Sequence, residues 1–192
     1  MTRTEALALL HEWVHSESLR KHALAVEAAM RHYARRFQED EERWGLVGLL
    51  HDLDYERFPE PPHHTREAAR VLRQRGLDEE LVGAILSHAR WNRDEYPLDR
   101  PLRRALFAVD ELCGFLTAVA YVRPERLQGL TPASVRKKLK QKSFAAGVSR
   151  EDIEQGAAGL GLTLDEHIAE VIAAMQSVAA ELGLAAPPGP TA

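Results

Sequence analysis

Four ionisable positions in this sequence fall where a helical chain should be apolar. His22 lies three residues after Leu19 and four before Val26, inside the stripe Leu19, Val26, Met30, Tyr33 and Phe37. His51 follows Val47 by four residues and Trp44 by seven, and His88 follows Leu81, Ala84 and Ile85 at the same period. Asp110 has Leu106 at i−4 and Cys113 at i+3. A carboxylate on such a face is costly unless a partner offsets its charge or its pKa rises. A divalent cation supplies that partner, because neutral imidazoles and carboxylates are its ordinary ligands. Each histidine alone reads as a core histidine bonded to backbone, and Asp110 alone reads equally well as half of a buried pair with Arg. Four on separate inward faces point to metal.

His51 and Asp52 are adjacent, and a His-Asp pair is weak by itself in a chain with this many of each. Its position gives it value. It ends a helix, where neighbouring residues can turn toward one point, and it stands between an inward His and an inward Asp. Asp54, two residues on in HDLDYE, suits a proton acceptor, an anchor behind a ligating His, or a simple loop cap. His11-Glu12-Trp13-Val14-His15 is an HExxH, the zinc-peptidase signature, with Glu12 as general base. Ten residues precede it, with no strand to align a peptide, and no third ligand stands out downstream, so it is the lesser reading.

Helices must position these groups. The apolar period predicts them over roughly Thr4–Val14, Ser16–Phe37, Glu41–His51, His64–Arg75 (closed by Gly76), Glu79–Ala89 and Leu102–Tyr121. Shorter ones follow over Ser134–Gln141 and Arg150–Ala158, then a last helix over Leu164–Leu182. FPEPP at Phe58–Pro62 and NRDEYPLDRP at Asn92–Pro101 read as breaks, the second as a polar loop. No alternating strand is present, so the expected class is all-α, with residues 1–184 as one domain and 185–192 (AAPPGPTA) as a disordered tail.

The 192 residues suffice for one well-buried core, and 45% hydrophobic with 28% charged residues is ordinary for a globular protein. A net charge of −4 gives no reason to expect nucleic acid or an anionic membrane as partner. The longest apolar run, Leu112–Val122, is too short to span a bilayer, and Arg3 and Glu5 interrupt the first residues, so a cytoplasmic location is expected. One cysteine, Cys113, excludes an internal disulfide and a CxxC zinc site, and reads as a small core residue.

The order His22, His51-Asp52, Asp110 in an all-α chain resembles the HD superfamily of metal-dependent phosphohydrolases. The chain is similar in particular to a small bacterial and archaeal subfamily of HD hydrolases. The stretches that carry the likeness are SLRKHALAVEAAM, GLLHDLDYERFPE, HHTREAARVL, ILSHA, ALFAVDELCGFLTAVAYVRP and SVRKKLKQKSFAAGVSREDI, which together reach from Thr4 to about Leu184. The resemblance implies an HD-type helical bundle with added C-terminal helices and four metal ligands, His22, His51, Asp52 and Asp110. It also implies that His64 and His88 hold a second metal or bind substrate phosphate, although Thr65 and Ala68 replace the Pro and Gly of the HPxxGA-like segment many relatives carry, and His63 is a neighbour that could stand in. Relatives with HDIG and a following Lys have an extra cation there; Arg57 is the nearest substitute.

The expected chemistry is attack of a metal-activated water on a phosphate ester, with Asp52 as ligand and water-orienting group and Asp54 as a further catalytic candidate. The substrate class is a small phosphorylated molecule such as a nucleotide. The cofactor is one or two divalent cations, any of Mn, Fe, Co, Ni, Zn or Mg suiting this N/O ligand set. The alternative is a helical binding or sensor module of HD type without catalysis, against which all four ligand positions stand intact. Arg136–Lys142 (RKKLKQK), with four of the five lysines, reads as a solvated face or as a phosphate-attracting lip over the site, followed by SFAAGV as hinge or cover.

Overall fold

Short polar side chains start the helices. Thr2 accepts the Glu5 N–H and the Glu5 carboxylate reaches back, closing a capping box on α1 (Arg3–Trp13). Ser16 opens α2 (Glu17–Phe37) and Asp40 opens α3 (Glu41–Leu50), where one carboxylate oxygen accepts from Glu42 and Arg43. The computed structural model describes residues 1–187. It continues with α4 (Arg66–Gln74), α5 (Glu79–His88), a single 3-10 turn at Arg90–Asn92, α6 (Pro101–Tyr121), α7 (Pro132–Leu139), α8 (Arg150–Gly159), α9 (Leu164–Ser177) and α10 (Ala179–Leu182). Among the described residues there is no strand. The class is all-α, a helical bundle with helices added at its C-terminal end. No helix among the described residues is long and apolar enough to cross a membrane.

The two longest helices, α2 and α6, lie against each other at the centre. α2 also packs on α3 and α9, and α6 on α5, α8 and α9, so one core gathers Met30, Tyr33, Leu49, Leu106 and Phe115. The approach of α3 to α2 is set by Gly48, where an added Cβ would sit 2.8 Å from the Glu27 Cα and the Val26 carbonyl oxygen. Any larger residue would push apart the helix that ends at His51 and the one that carries His22. Gly156 plays the same part between α8 and α6, with Ala108 Cα 2.6 Å from the position of its missing Cβ.

Several boundaries differ from the sequence expectation, among them that of α7, which runs over Pro132–Leu139 rather than Ser134–Gln141 because Thr131 caps it. The last helix is broken at Val178, which leaves the helical region (φ −121°, ψ 18°). There Ser177 Oγ donates to the Ala174 carbonyl, competing with the helical ladder. α4 begins at Arg66 rather than His64, because Thr65 adopts φ +67° and turns the chain sharply before the helix. The loop expected to be polar from Asn92 starts buried: Asn92 Nδ2 donates to Thr65 Oγ1 at 2.8 Å and to the Leu86 carbonyl at 3.1 Å. Most of the tail expected from 185 onward lies outside the described residues.

Candidate metal centre

Five separate segments deliver the polar groups to one place. His22 comes from the second turn of α2, His51 and Asp52 from the end of α3, His64 from the turn before α4, His88 from the last residue of α5, and Asp110 from the middle of α6. His22 Nε2 lies 3.0 Å from Asp110 Oδ1, and His51 Nε2 lies 3.4 Å from the same oxygen and 3.5 Å from Asp52 Oδ2. The other Asp52 oxygen, Oδ1, is 3.4 Å from His88 Nε2 and 3.5 Å from His64 Nε2. Two ligand clusters result, His22–His51–Asp52 and Asp52–His64–His88, with Asp52 common to both.

In three of the four rings the far side explains why Nε2 points inward. His51 Nδ1 donates to the Gly48 carbonyl at 2.8 Å, and His88 Nδ1 to the Ile85 carbonyl at 2.7 Å. Those acceptors carry no proton, so Nδ1 keeps its hydrogen in both rings and Nε2 is the atom presented to the carboxylates. His64 Nδ1 lies 3.0 Å from Asp54 Oδ1. Tying back the second nitrogen is how metal-binding histidines are oriented and made more basic.

A divalent cation fits this donor set. His51 Nε2 is fully buried and has no hydrogen-bond partner, a cost of about 1–3 kcal/mol for an ordinary buried acceptor. The electrostatics ask for the same thing. Burial alone would lower the His51 pKa, yet the charges of Asp52 and Asp110 overcome it and push it up to about 9. Asp52 and Asp110 are held well below the usual carboxylate range, because the neighbouring histidines outweigh the burial that opposes ionisation. Negative charge is concentrated here and positive charge is wanted. Both clusters can therefore coordinate a divalent metal ion.

Asp54 is wholly buried and faces away from the cleft. Its oxygens accept from His64 Nδ1, from the Thr65 N–H at 3.1 Å and from the Ala68 N–H at 2.7 Å. Of the two adjacent histidines, His64 is buried and His63 is exposed.

The clusters open onto a cleft of about 560 Å³. Its mouth carries two aromatic rings that sequence reasoning did not single out: Tyr55 and Trp91, 40% and 42% exposed, flank the His64 ring from two sides. Arg93 lies on the wall, its guanidinium over the Phe107 ring and donating to the His88 carbonyl. Burial lowers its pKa, and among the described residues no carboxylate lies within ion-pair distance of it. Glu111, next to Asp110, is raised to about 7 by burial and by the Asp110 charge. These residues sit in or beside stretches that read as loop, or one position off the apolar stripe, so periodicity gave no sign of them.

Three expectations need correction. The HExxH segment is not a metal site: α1 ends at Trp13, and Val14 is extended (φ −116°, ψ 118°), so His15 leaves the face that His11 occupies. All three of His11, Glu12 and His15 are exposed, which removes the structural basis for a zinc peptidase. Arg57 does not reach the cleft as a substitute cation. It stacks on Trp13 and donates to the Glu12 and Trp13 carbonyls, clamping the end of α1. The basic segment 136–142 is no lip over the cleft, since none of its side chains lines it; Arg136, Lys140 and Lys142 face a different cavity.

An all-α protein with a half-buried His/Asp cluster at the meeting of its helices is a metal-binding helical domain of a recognisable class. Residues 19–114, half of the chain, match the HD domain family, and the chain belongs to that family. The match spans every proposed ligand from His22 to Asp110. No curated protein and no solved structure matches the chain. Family and site together define a metal-dependent hydrolase of the HD superfamily.

Proposed function

We propose that the chain is a phosphohydrolase of the small HD-hydrolase subfamily, acting in the cytoplasm as one domain over residues 1–184 and cleaving a small phosphate ester such as a nucleotide. The observation that carries this reading is the sharing of Asp52 between two clusters, with the imidazoles of His51 and His88 locked so that their Nε2 atoms face it. His22, His51, Asp52 and Asp110 hold one divalent cation. His64 and His88 complete a second position with Asp52, either for a second cation or for an oxygen of the substrate phosphate.

A bound divalent cation lowers the pKa of a coordinated water and neutralises charge that builds on the phosphoryl oxygens. The protein residues do the rest. Asp52 orients the attacking water from inside the cluster. Asp54 acts behind His64 as a positioning residue, because its oxygens are occupied by three donors. Arg93 supplies a fixed positive charge on the cleft wall for a substrate oxyanion. Tyr55 and Trp91 offer flat apolar walls to the rest of the substrate.

The test is the pair of variants His51→Ala and Asp52→Ala, compared with the parent for bound metal and for hydrolysis of a panel of nucleoside monophosphates with Mn, Fe, Co, Ni, Zn or Mg. Stoichiometric metal and phosphate release that both variants abolish are the expected results. Protein that binds no metal and cleaves nothing in the panel would support a binding module instead.

A further inference from the structure

The basic segment 136–142 borders a cavity of its own. This second cavity, about 510 Å³, lies between α7, the N-terminal end of α9 and the turn-rich strap 141–149. Its floor is apolar, with Leu139, Val148 and Leu164, and its rim is cationic, with Lys140 and Lys142. Among the described residues neither lysine has a carboxylate within ion-pair distance; Arg136 does, 3.1 Å from Asp165.

Arg150 adds a further positive charge to the wall. Its guanidinium donates only to carbonyl oxygens of the strap, to Val148 at 2.8 Å and to Ala145, Phe144 and Gln141, and no carboxylate pairs with it among the described residues. Its Nε is buried without a partner. Glu154 is the one acid on the cavity wall.

The cavity is separate from the metal cleft, and the strap divides them. Ala146 and Val148 line the basic cavity, while Gly147 and Ser149 line the cleft, where the Ser149 N–H donates to Glu111 Oε2 at 3.2 Å. Alternate residues of one segment thus face two cavities.

We propose that the second cavity is a binding site for a small amphipathic anion, an apolar body carrying one anionic head group. The apolar floor takes the body, and Lys140 and Lys142 at the rim take the head group, with the Arg150 charge behind them. A volume of this size suits an organic ligand rather than a single ion. The site does not depend on what the metal centre does.

The test is titration calorimetry on the full chain with 1-octanesulfonate, which a phosphohydrolase cannot cleave. 1-Octanol supplies the body without charge, and inorganic sulfate the charge without body. The expected result is saturable binding of the sulfonate, at least tenfold tighter than either control. The variant Lys140→Glu/Lys142→Glu lowers that affinity at least tenfold, and Lys140→Gln/Lys142→Gln lowers it by an intermediate factor. His51→Ala/Asp52→Ala leaves it unchanged, which separates this site from the metal cleft. Three results would overturn the proposal: no saturable binding, affinity indifferent to both lysine variants, or loss of binding with the metal-site variant. Equal binding of octanol would mark an apolar groove, and equal binding of sulfate a simple cationic patch, and either also refutes it.

Discussion

Asp54 Oδ1 stands 3.0 Å from His64 Nδ1, on the side of the ring that faces away from the cleft. The same carboxylate accepts the Thr65 and Ala68 N–H groups, so it fixes both the imidazole and the start of α4. Thr65 needs that support, because φ +67° is unusual for a β-branched residue and costs on the order of 1–3 kcal/mol. Asp54→Asn keeps the size but weakens the acceptor. Metal affinity of the Asp52–His64–His88 cluster, or phosphate release where that cluster takes a substrate oxygen instead, should fall about 10- to 100-fold, the usual range for losing such a partner. Metal titration read beside the circular dichroism spectrum checks it; unchanged affinity in a folded variant would remove Asp54 from the positioning role.

Gly48 lets α3 approach α2. In Gly48→Ala the new methyl meets backbone atoms of Val26 and Glu27 at 2.8 Å, and backbone cannot swing aside as a side chain can. Overpacking of this kind destabilises by about 1–3 kcal/mol. The displacement also separates His22 from His51, so metal loading should drop together with the melting temperature. A variant that melts like the parent and binds metal normally would contradict this account.

His167 gives the fold a pH dependence independent of the metal centre. Its Nε2–H donates to the Ala108 carbonyl at 2.9 Å, so Nδ1 accepts from the Tyr33 hydroxyl at 2.6 Å, a pairing that requires the neutral ring. Burial lowers its pKa from 6.5 to about 4. Between those values the unfolded chain binds a proton that the folded chain refuses, so stability rises with pH. The contribution is fully present above about 6.5 and is lost progressively as the pH falls toward 4, in total about 3 kcal/mol. Denaturant unfolding from pH 4 to 7 measures it, and His167→Gln should flatten the curve in that window.

Glu12 lies outside the chemistry. Because the helix ends before His15, Glu12→Gln should leave bound metal and phosphate release within about twofold of the parent, the ~0.4 kcal/mol scale of a surface change. Loss of metal or of phosphate release beyond that range would place Glu12 in the site and contradict this account.

Much of the fold was legible in advance. The helices could be read because an apolar stripe with a period near 3.6 is a local property, and because Ser, Thr and Asp at the starts of helices cap by local hydrogen bonds. What failed were local decisions made by distant partners. Thr65 leaves the helix because Asp54 and Asn92 hold it out, and neither bond can be inferred from its neighbours in sequence.

By itself the sequence determined which helix faces turn inward and that His22, His51, His88 and Asp110 interrupt them, His51 buried and the other three half-buried at the cleft, since burying a stripe carries inward whatever polar group interrupts it. Only the tertiary structure decided that Asp52 is shared by two clusters, that Asp54 stands behind His64, and that the lysine-rich segment lines a cavity other than the cleft at these clusters. The reason is geometric. Periodicity fixes the direction of a side chain about its own helix axis, whereas the meeting of five segments depends on how closely α2, α3, α5 and α6 pack, which Gly48 and the core around it set.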